Sequence, residues 1–408
     1  MNGRHQPADV NTIRGHNLGI VMRTLRDAGP LSRIQIARRS GLVHASMTNL
    51  VADLESRGLV RPVDNPPADG RKRGRPATPL EIVPARALVL GVSITSGRVE
   101  AELTTCTGAT TWSSRRALAR GRVPPEGVAS LVAELLREAA GAADAGGGVL
   151  LSCVIAMPAP VGSVSGEVKD AIDFGWRRVP LIQLIRQAGA PDGVELTLVS
   201  DANTAALAEF FALDRPRPRV AAYVKADVGV GGGVISDQKV FVGEDGLGGG
   251  VGHVTVDWRG RPCPCGSVGC VAAYAGPEPL AEAAAVSDVL EADGIDAAVD
   301  AILARAAAGD QRALEALAVA GRAVGFGVKT MCALLDPGVV ILGGYLARLH
   351  PWIEPLIQEV IASQTALTTP LPIQPGRLDG RAVLAGAAQI GFGPFFDDPS
   401  IVPVLPES

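Results

Sequence analysis

Three of the chain's six cysteines lie within eight residues, in the run CPCGSVGC from Cys263 to Cys270. Cysteine thiolates and neutral imidazoles are good ligands for Zn²⁺, so the run raises the question of a metal site. The alternative is three unrelated free cysteines, which the short spacing disfavours. Deciding between the two requires the elements that would position these side chains.

Composition limits the class of protein. At 408 residues, with 47% hydrophobic residues, 49 glycines and 30 prolines, the chain is long enough for two or three domains with substantial cores. No uninterrupted apolar run reaches the roughly 18 residues that a membrane span needs, and the N-terminus MNGRHQPADV lacks the apolar segment of a secretory signal. We therefore expect a cytoplasmic protein without membrane contact, whose cysteines are not in disulfides.

The net charge of −4 hides an uneven distribution of charge along the chain. Residues 1–80 contain 13 Lys and Arg against 6 Asp and Glu, whereas the remainder contains 25 against 36. The basic N-terminal segment is therefore suited to a polyanion, and the acidic remainder is not.

The basic segment has the pattern of three short helices. The first and third carry apolar residues at the spacing of one helical face, and the second begins at Ser32, which forms a capping box with Gln35. The apolar positions are Leu18, Val21, Met22 and Leu25 in the first helix, and Met47, Leu50, Val51 and Leu54 in the third. The second helix ends near Ser40-Gly41, and this Gly-containing turn predicts a helix-turn-helix, with a strand beginning at Leu59-Val60.

In a helix-turn-helix, the N-terminal residues of the last helix face the major groove. The DNA contacts predicted for the helices are Ser32, His44, Ser46, Thr48 and Asn49. Residues 69–77 would form a basic wing that meets phosphates or enters a minor groove, through Arg71, Lys72, Arg73 and Arg75. The alternative is a three-helix module that binds a protein and is followed by a solvated basic linker.

From about residue 87, apolar strands alternate with helical stretches, which is typical of an α/β fold. The predicted strands lie at 87–94, 147–158, 194–201, 221–236 and 338–344. The predicted helices include 124–141, 203–212 and 310–335. Glycine-rich turns follow several strands, at the positions where phosphates or other ligands would lie.

The order of motifs along the chain resembles the ROK family of repressors, open reading frames and sugar kinases. The shared motifs are GLVHASMTNLVADLESRGLV with GRP in the wing, then SDANTAALAE, VGVGGG, GLGGGVGH, CPCGSVGC and VILGGY. The resemblance implies an α/β protein with an N-terminal winged helix-turn-helix, followed by a two-lobed, actin-like sugar-kinase fold. We divide the chain into a winged helix at 1–82, a first lobe at 83–202 with a C-terminal helix at about 380–396, and a second lobe with the zinc loop at 203–379.

The same resemblance implies what the cysteines do. The C-x-C-G-x-x-G-C run with an upstream Gly-His is similar to the family's zinc motif, which assigns a structural Zn²⁺ to His253, Cys263, Cys265 and Cys270. Four protein ligands leave no open position for a reacting water, so a catalytic zinc is not expected. In the family this histidine also adjoins the sugar pocket. The remaining cysteines, Cys106, Cys153 and Cys332, are predicted to be core residues.

The family's kinase chemistry needs a base and a backbone cradle for phosphates. Asp201 matches the catalytic aspartate, and the glycines at 229 and 231–233 match one phosphate loop. The other loop departs from the family pattern D-x-G-x-T, because Ser93 and Thr95 replace its acidic residue and its glycine, and Val228 replaces a threonine of the second loop. We therefore predict a degenerate ATP site, no catalytic residues and no enzyme activity.

The family's sugar pocket is altered as well. The positions that match it are Asp173, Ser200, Asp201 and His253, of which only Asp201 and His253 keep the family's residue types, and two expected glutamates are Gly250 and Ala272. Each lost charged hydrogen bond weakens binding by about 1.5 to 3 kcal/mol, so ordinary hexose sensing is disfavoured. Either the pocket binds a different sugar or sugar derivative, or it binds nothing and Asp201 is only the anion at a helix N-terminus.

The sequence thus predicts a cytoplasmic, zinc-stabilised transcriptional regulator, a repressor linked to carbohydrate metabolism. Its expected partners are double-stranded operator DNA and a sugar-type effector, and its expected assembly is a homodimer or homotetramer. The first alternative is a sugar kinase with a DNA-binding appendage. The second is an interaction scaffold whose head binds protein and shows no salt-dependent duplex binding.

Overall fold

The computed structural model describes residues 10–63, 78–119, 121–162, 165–363 and 371–406. The predicted wing residues Arg71, Lys72, Arg73 and Arg75 lie outside these ranges.

The N-terminal segment, called the head below, folds as three helices and an antiparallel pair of strands. These are α1 (Val10–Ala28), α2 (Arg33–Ser40), α3 (His44–Ser56), β1 (Val60–Pro62) and β2 (Leu80–Ile82). The predicted capping box is confirmed, since the Ser32 N–H donates to Gln35 Oε1 at 2.9 Å and the Gln35 N–H donates to Ser32 Oγ at 3.4 Å. Every predicted apolar position of α1 and α3 is at most 5% exposed. The helical spacing therefore identified the face that holds the head together.

The first five-stranded sheet of the body has the order β10-β6-β3-β4-β5. Its strands are β3 (Ala87–Thr95), β4 (Arg98–Thr105), β5 (Thr110–Ala117), β6 (Val149–Met157) and β10 (Glu195–Ser200). Helices α4 (Pro125–Ala145) and α5 (Leu181–Gln187) accompany it, with a small sheet of β7 (Val161–Gly162), β8 (Glu167–Ala171) and β9 (Trp176–Val179). β3, β6 and β10 pair in parallel, as buried strands of an α/β fold do.

The second five-stranded sheet has the order β13-β12-β11-β14-β15. Its strands are β11 (Val220–Ala226), β12 (Val230–Ser236), β13 (Lys239–Val240), β14 (Val340–Gly344) and β15 (Ile373–Pro375). The prediction of one strand at 221–236 was wrong, because residues 227–229 form a turn between the antiparallel strands β11 and β12. A largely apolar run does not reveal such a turn when its residues, Asp, Val and Gly, are flanked by Ala226 and Val230.

The remaining helices cover the second sheet, lie between the two sheets, or follow them toward the head. They are α6 (Asp201–Ala212), α7 (Ala272–Ala275), α8 (Pro277–Ala283), α9 (Ser287–Asp293), α10 (Ile295–Ala307), α11 (Gln311–Leu335), α12 (Tyr345–Ala362), α13 (Ala382–Gly391) and α14 (Gly393–Asp397). α11 is long and apolar enough to cross a membrane by composition, but 56% of its most apolar window is buried inside the protein, which is typical of a core helix.

Helices α6 and α13 pack against each other between the two sheets. α6 contacts β11 and β12 of the second sheet, whereas α13 lies on β3 and β6 of the first. The approach is close, because a Cβ on Gly386 of α13 would lie 1.9 Å from the carbonyl oxygen of Thr204 in α6. A shift of α6 is therefore transmitted directly to α13.

The chain beyond α13 returns to the head. Phe392, Phe395 and Phe396 share one buried core with α1, α3 and strand β3. The Arg57 side chain, just after α3, donates to the carbonyl oxygens of Ser400 and Val402 at 2.8 and 2.6 Å, and the Leu405 N–H donates to the Ser56 carbonyl at 2.8 Å. The head is thus packed onto the body rather than tethered to it.

Candidate functional site

The N-terminal half of α3 presents polar side chains to solvent. His44, Ser46, Thr48 and Asn49 are all exposed, while Met47 and Leu50 are buried. The predicted reading face therefore lies on the outside of the head. Ser32 differs, since it is only 7% exposed and its hydroxyl takes part in the capping box of α2.

The four predicted metal ligands come together in space. The donor atoms of His253, Cys263, Cys265 and Cys270 all lie within 4.8 Å of one another. Backbone hydrogen bonds shape the loop around them: the Cys263 N–H donates to the Ser267 carbonyl at 2.9 Å, and the Gly266 N–H to the Cys263 carbonyl at 2.9 Å. Gly266 and Gly269 adopt the left-handed conformation, with φ of 92° and 62°, that these turns require.

The geometry of this cluster fits a tetrahedral metal ion. Zn–S bonds of about 2.3 Å place two ligand sulfurs about 3.8 Å apart on a tetrahedron. The Sγ atoms of Cys265 and Cys270 are 3.7 Å apart, and His253 Nδ1 lies 3.8 Å from the Sγ atom of Cys263. Burial lowers the pKa of His253 and so favours the neutral imidazole that binds metal. The donor set can therefore hold a metal ion.

A cavity of about 1170 Å³, also called the cleft below, lies between the two sheets of the body. Asp173 and Asp201 line it, together with Ser93 and Thr95 at the end of β3. Burial raises the pKa of Asp173, and the nearby carboxylates of Glu278 and Asp201 raise it further. The cavity thus brings together two of the four predicted ligand contacts.

The other two predicted contacts lie elsewhere. Ser200 is the residue before α6 and does not line this cavity, and His253 lies in the metal cluster, outside the cavity lining. Asp245 is not part of the cavity lining, and its Oδ1 atom lies 3.0 Å from the Nζ atom of Lys169.

Lys225 is a residue of the cavity that sequence reasoning missed. Its Nζ lies 2.6 Å from Asp201 Oδ2 and 2.8 Å from Asp227 Oδ2, and the side chains of Lys225 and Asp201 are only 6% and 7% exposed. Burial alone would lower the pKa of Lys225, but Asp201 and Asp227 outweigh it and raise that pKa above its ordinary value. The signal was a lysine inside the otherwise apolar strand AAYVKA, since a buried lysine requires a charged partner.

The ion pair changes what Asp201 can do. A catalytic base in phosphoryl transfer must accept the proton of the attacking hydroxyl. One oxygen of Asp201 is instead held by the buried ammonium of Lys225. Ser93, Thr95 and Val228, which depart from the family's kinase pattern, line the same cavity.

Comparisons with known proteins agree with this architecture. Residues 91–391 match the model of the ROK family, and residues 19–72 match that of the MarR family. The chain is 26% identical over 404 residues to the N-acetylglucosamine repressor of Escherichia coli O157:H7, covering 95% of each chain. It is also 33% identical over 216 residues to the N-acetylmannosamine kinase of Salmonella heidelberg, covering 52% of this chain and 70% of the kinase.

One solved structure resembles the whole chain. A ROK family transcriptional regulator, a homolog of the E. coli MLC protein, superposes with a TM-score of 0.76 at 23% identity, over 95% of this chain and 97% of that one. The likeness confirms the predicted fold, in which a winged helix precedes a two-lobed sugar-kinase-like body.

Proposed function

The chain belongs to the ROK family, and from that premise we propose that it is a DNA-binding transcriptional repressor controlled through the cleft of its body. The exposed polar row on α3 carries the proposal, because it lies over a fully buried apolar face in a helix-turn-helix. The repressor that matches the chain over 95% of its length supports it. That relative's name, with those of the sugar kinases of the family, supports a sugar-type effector and a role in carbohydrate metabolism.

Selection from a random duplex pool with the full-length protein tests this function. We expect one sequence class to be enriched. Asn49→Ala should weaken binding to it about tenfold or more, since a bidentate base contact contributes about 1 to 3 kcal/mol, and Thr48→Ala should weaken binding less, since its single hydroxyl makes no bidentate contact. Ser56→Ala, at the other end of α3, is the matched control and should bind normally. Fluorescence anisotropy of the selected duplex measures each affinity, and no enrichment by the parent would overturn the proposal.

The wing belongs to the same proposal. Replacing Arg71, Arg73 and Arg75 with alanine should weaken binding to all duplexes and flatten the salt dependence, because each phosphate contact releases counterions. Anisotropy at several salt concentrations measures the slope. If the salt dependence of the affinity is the same in the variant and the parent, the wing does not contact the DNA.

The effector would act through the helices between the lobes. A ligand in the cleft contacts Asp201, the first residue of α6, and α6 packs on α13, which continues into the phenylalanines beneath α1. Such a ligand changes DNA affinity only if it prefers one arrangement of the lobes. The heads of a homodimer or homotetramer would then lose their register with paired half-sites.

The metal ion and the division of the chain complete the proposal. We assign a structural Zn²⁺ to the His253 and three-cysteine cluster, because soft thiolates with an imidazole in a closed tetrahedral set favour zinc. We also propose that the chain divides into a winged helix at 1–82, a first lobe at 83–202 with the helix at 380–396, and a second lobe at 203–379. We further propose that the protein resides in the cytoplasm.

The kinase alternative makes a separate prediction. Incubating the protein with MgATP and a panel of sugars should produce no ADP above background, because Lys225 holds Asp201 and the ATP loop is degenerate. A coupled ADP assay measures this. Turnover in the parent that disappears in Asp201→Asn would establish the kinase instead.

A further inference from the structure

The charges that line the cleft are strongly biased. Ten of its lining residues are aspartate or glutamate, whereas three are arginine or lysine. All three cations are already engaged: Arg98 pairs with Glu100 at 3.1 Å, Arg348 pairs with Asp296 and Asp300, and Lys225 pairs with Asp201 and Asp227. The described lining thus offers an anion no free positive charge.

Asp227 places a carboxylate at the glycine-rich turn that resembles a phosphate loop of the family. It is the first residue of the turn between β11 and β12, and its N–H donates to the Gly229 carbonyl at 2.9 Å. Its carboxylate is 45% exposed and lies beside Gly344, where a Cβ would come within 2.4 Å of Asp227 Oδ1. A negative charge between two glycine turns repels the anion that such turns otherwise bind.

Lys225 stands behind this carboxylate. Its ammonium is the one cation that faces the turn from strand β11, and its two carboxylate partners leave the group of three with a net negative charge. Asp201 is held with one oxygen on Lys225, and it lines the cavity with Asp173. Carboxylates held in this way accept hydrogen bonds from the hydroxyl groups of an uncharged ligand.

Building on the proposed function, we infer that the Lys225, Asp201 and Asp227 ion triad restricts the cleft to ligands without phosphate. Nucleotides and sugar phosphates are excluded, and the effector is an unphosphorylated polyhydroxylated compound. Asp227 is the specificity-determining residue, because it both repels phosphate and engages the ammonium that would attract it.

A gain of binding tests the inference. Isothermal titration with inorganic phosphate and with MgADP, at constant ionic strength, should show no binding to the parent. Asp227→Asn should bind phosphate at least tenfold more tightly than the parent's detection limit, because the turn then carries no carboxylate and Lys225 keeps only Asp201 as a charged partner. Asp245→Asn is the matched control, since Asp245 also pairs with a lysine but lies outside the cavity.

A second substitution assigns the gain to Lys225. Adding Lys225→Met to Asp227→Asn should abolish phosphate binding. Thermal unfolding verifies that the single and the double variant fold. If Asp227→Asn does not fold, Asp227→Ser is used in its place. Phosphate or MgADP binding by the parent would overturn the inference. So would the absence of any gain in both folded Asp227 variants.

The phosphate titration and the duplex-binding test of the proposed function can fail independently of each other. A parent that binds its selected duplex and also binds phosphate loses the inference but remains a repressor. A parent that binds no duplex loses the proposed function, while the phosphate titration still decides the inference. Release of the selected duplex by any phosphorylated sugar, in a panel of sugars matched to their phosphates, would also overturn it.

Discussion

Replacing Cys263 with serine should remove the metal ion and unfold the loop from 254 to 269. This loop has almost no core of its own, since within it only Cys263 and Gly269 are buried. A metal ion bound by the four ligands would therefore hold its shape in place of apolar packing. Structural zinc sites in small peptides contribute about 10 to 16 kcal/mol, so losing one of four ligands is expected to cost several kcal/mol and to lower the melting temperature markedly.

Metal analysis and unfolding measure this effect together. The parent should contain about one zinc per chain, and Cys263→Ser should contain far less. Cys332→Ser is the matched control, because Cys332 is a buried cysteine of α11 outside the cluster, and it should keep the zinc. A parent purified without metal whose loop is still protected from hydrogen exchange would refute the structural role.

The gathering of His253 with the three cysteines followed from the family resemblance, and the core of the head could be predicted from sequence because its interactions are local. The four metal ligands span 18 residues, and the capping box joins residues three apart. The buried faces of α1 and α3 follow from helical spacing within each element. In such segments the sequence pattern and the contact pattern coincide.

Interactions between distant segments were not predictable in the same way. Lys225 and Asp201 are 24 residues apart, and only the packing of α6 on β11 brings them together. Asp201 lines the cavity, its role as a ligand residue stays a prediction, and its partner Lys225 could be identified only from the fold. The same holds for Gly386 of α13, which is required to be small because the backbone of α6 approaches it closely at Thr204.

The packing of the last described residues of the chain onto the head could not be predicted from the sequence. Nothing in the run GFGPFFDDPS indicates that its phenylalanines complete the core of a head more than 300 residues away. Gly19 of α1 shows how closely the segments pack, because a Cβ there would lie 2.1 Å from the Phe396 carbonyl oxygen.

Substituting Phe395 by alanine should therefore loosen the head as well as the body. Phe395 is fully buried in the core that joins α1, α3 and β3, and truncating a buried phenylalanine costs about 3 to 5 kcal/mol. We expect the melting temperature to fall by several degrees, amides of α1 and α3 to exchange faster, and affinity for the selected duplex to drop, because α3 loses the support that fixes its orientation. Thermal unfolding, hydrogen exchange and anisotropy measure the three effects.

Phe241→Ala is the matched control, since that side chain is 52% exposed and should be nearly neutral. A second variant separates orientation from stability. Ending the chain after Val402 keeps all three phenylalanines and the buried Val402 but removes the Pro403 carbonyl that Arg86 binds and the Leu405 contact with Ser56. If the removed residues fix the orientation of α3, this truncation lowers DNA affinity with little change in the melting temperature of the body. Equal DNA affinity in the parent, the truncated chain and Phe395→Ala would mean that the head reads DNA independently of the body, and the proposed route from the cleft to the operator would then be wrong.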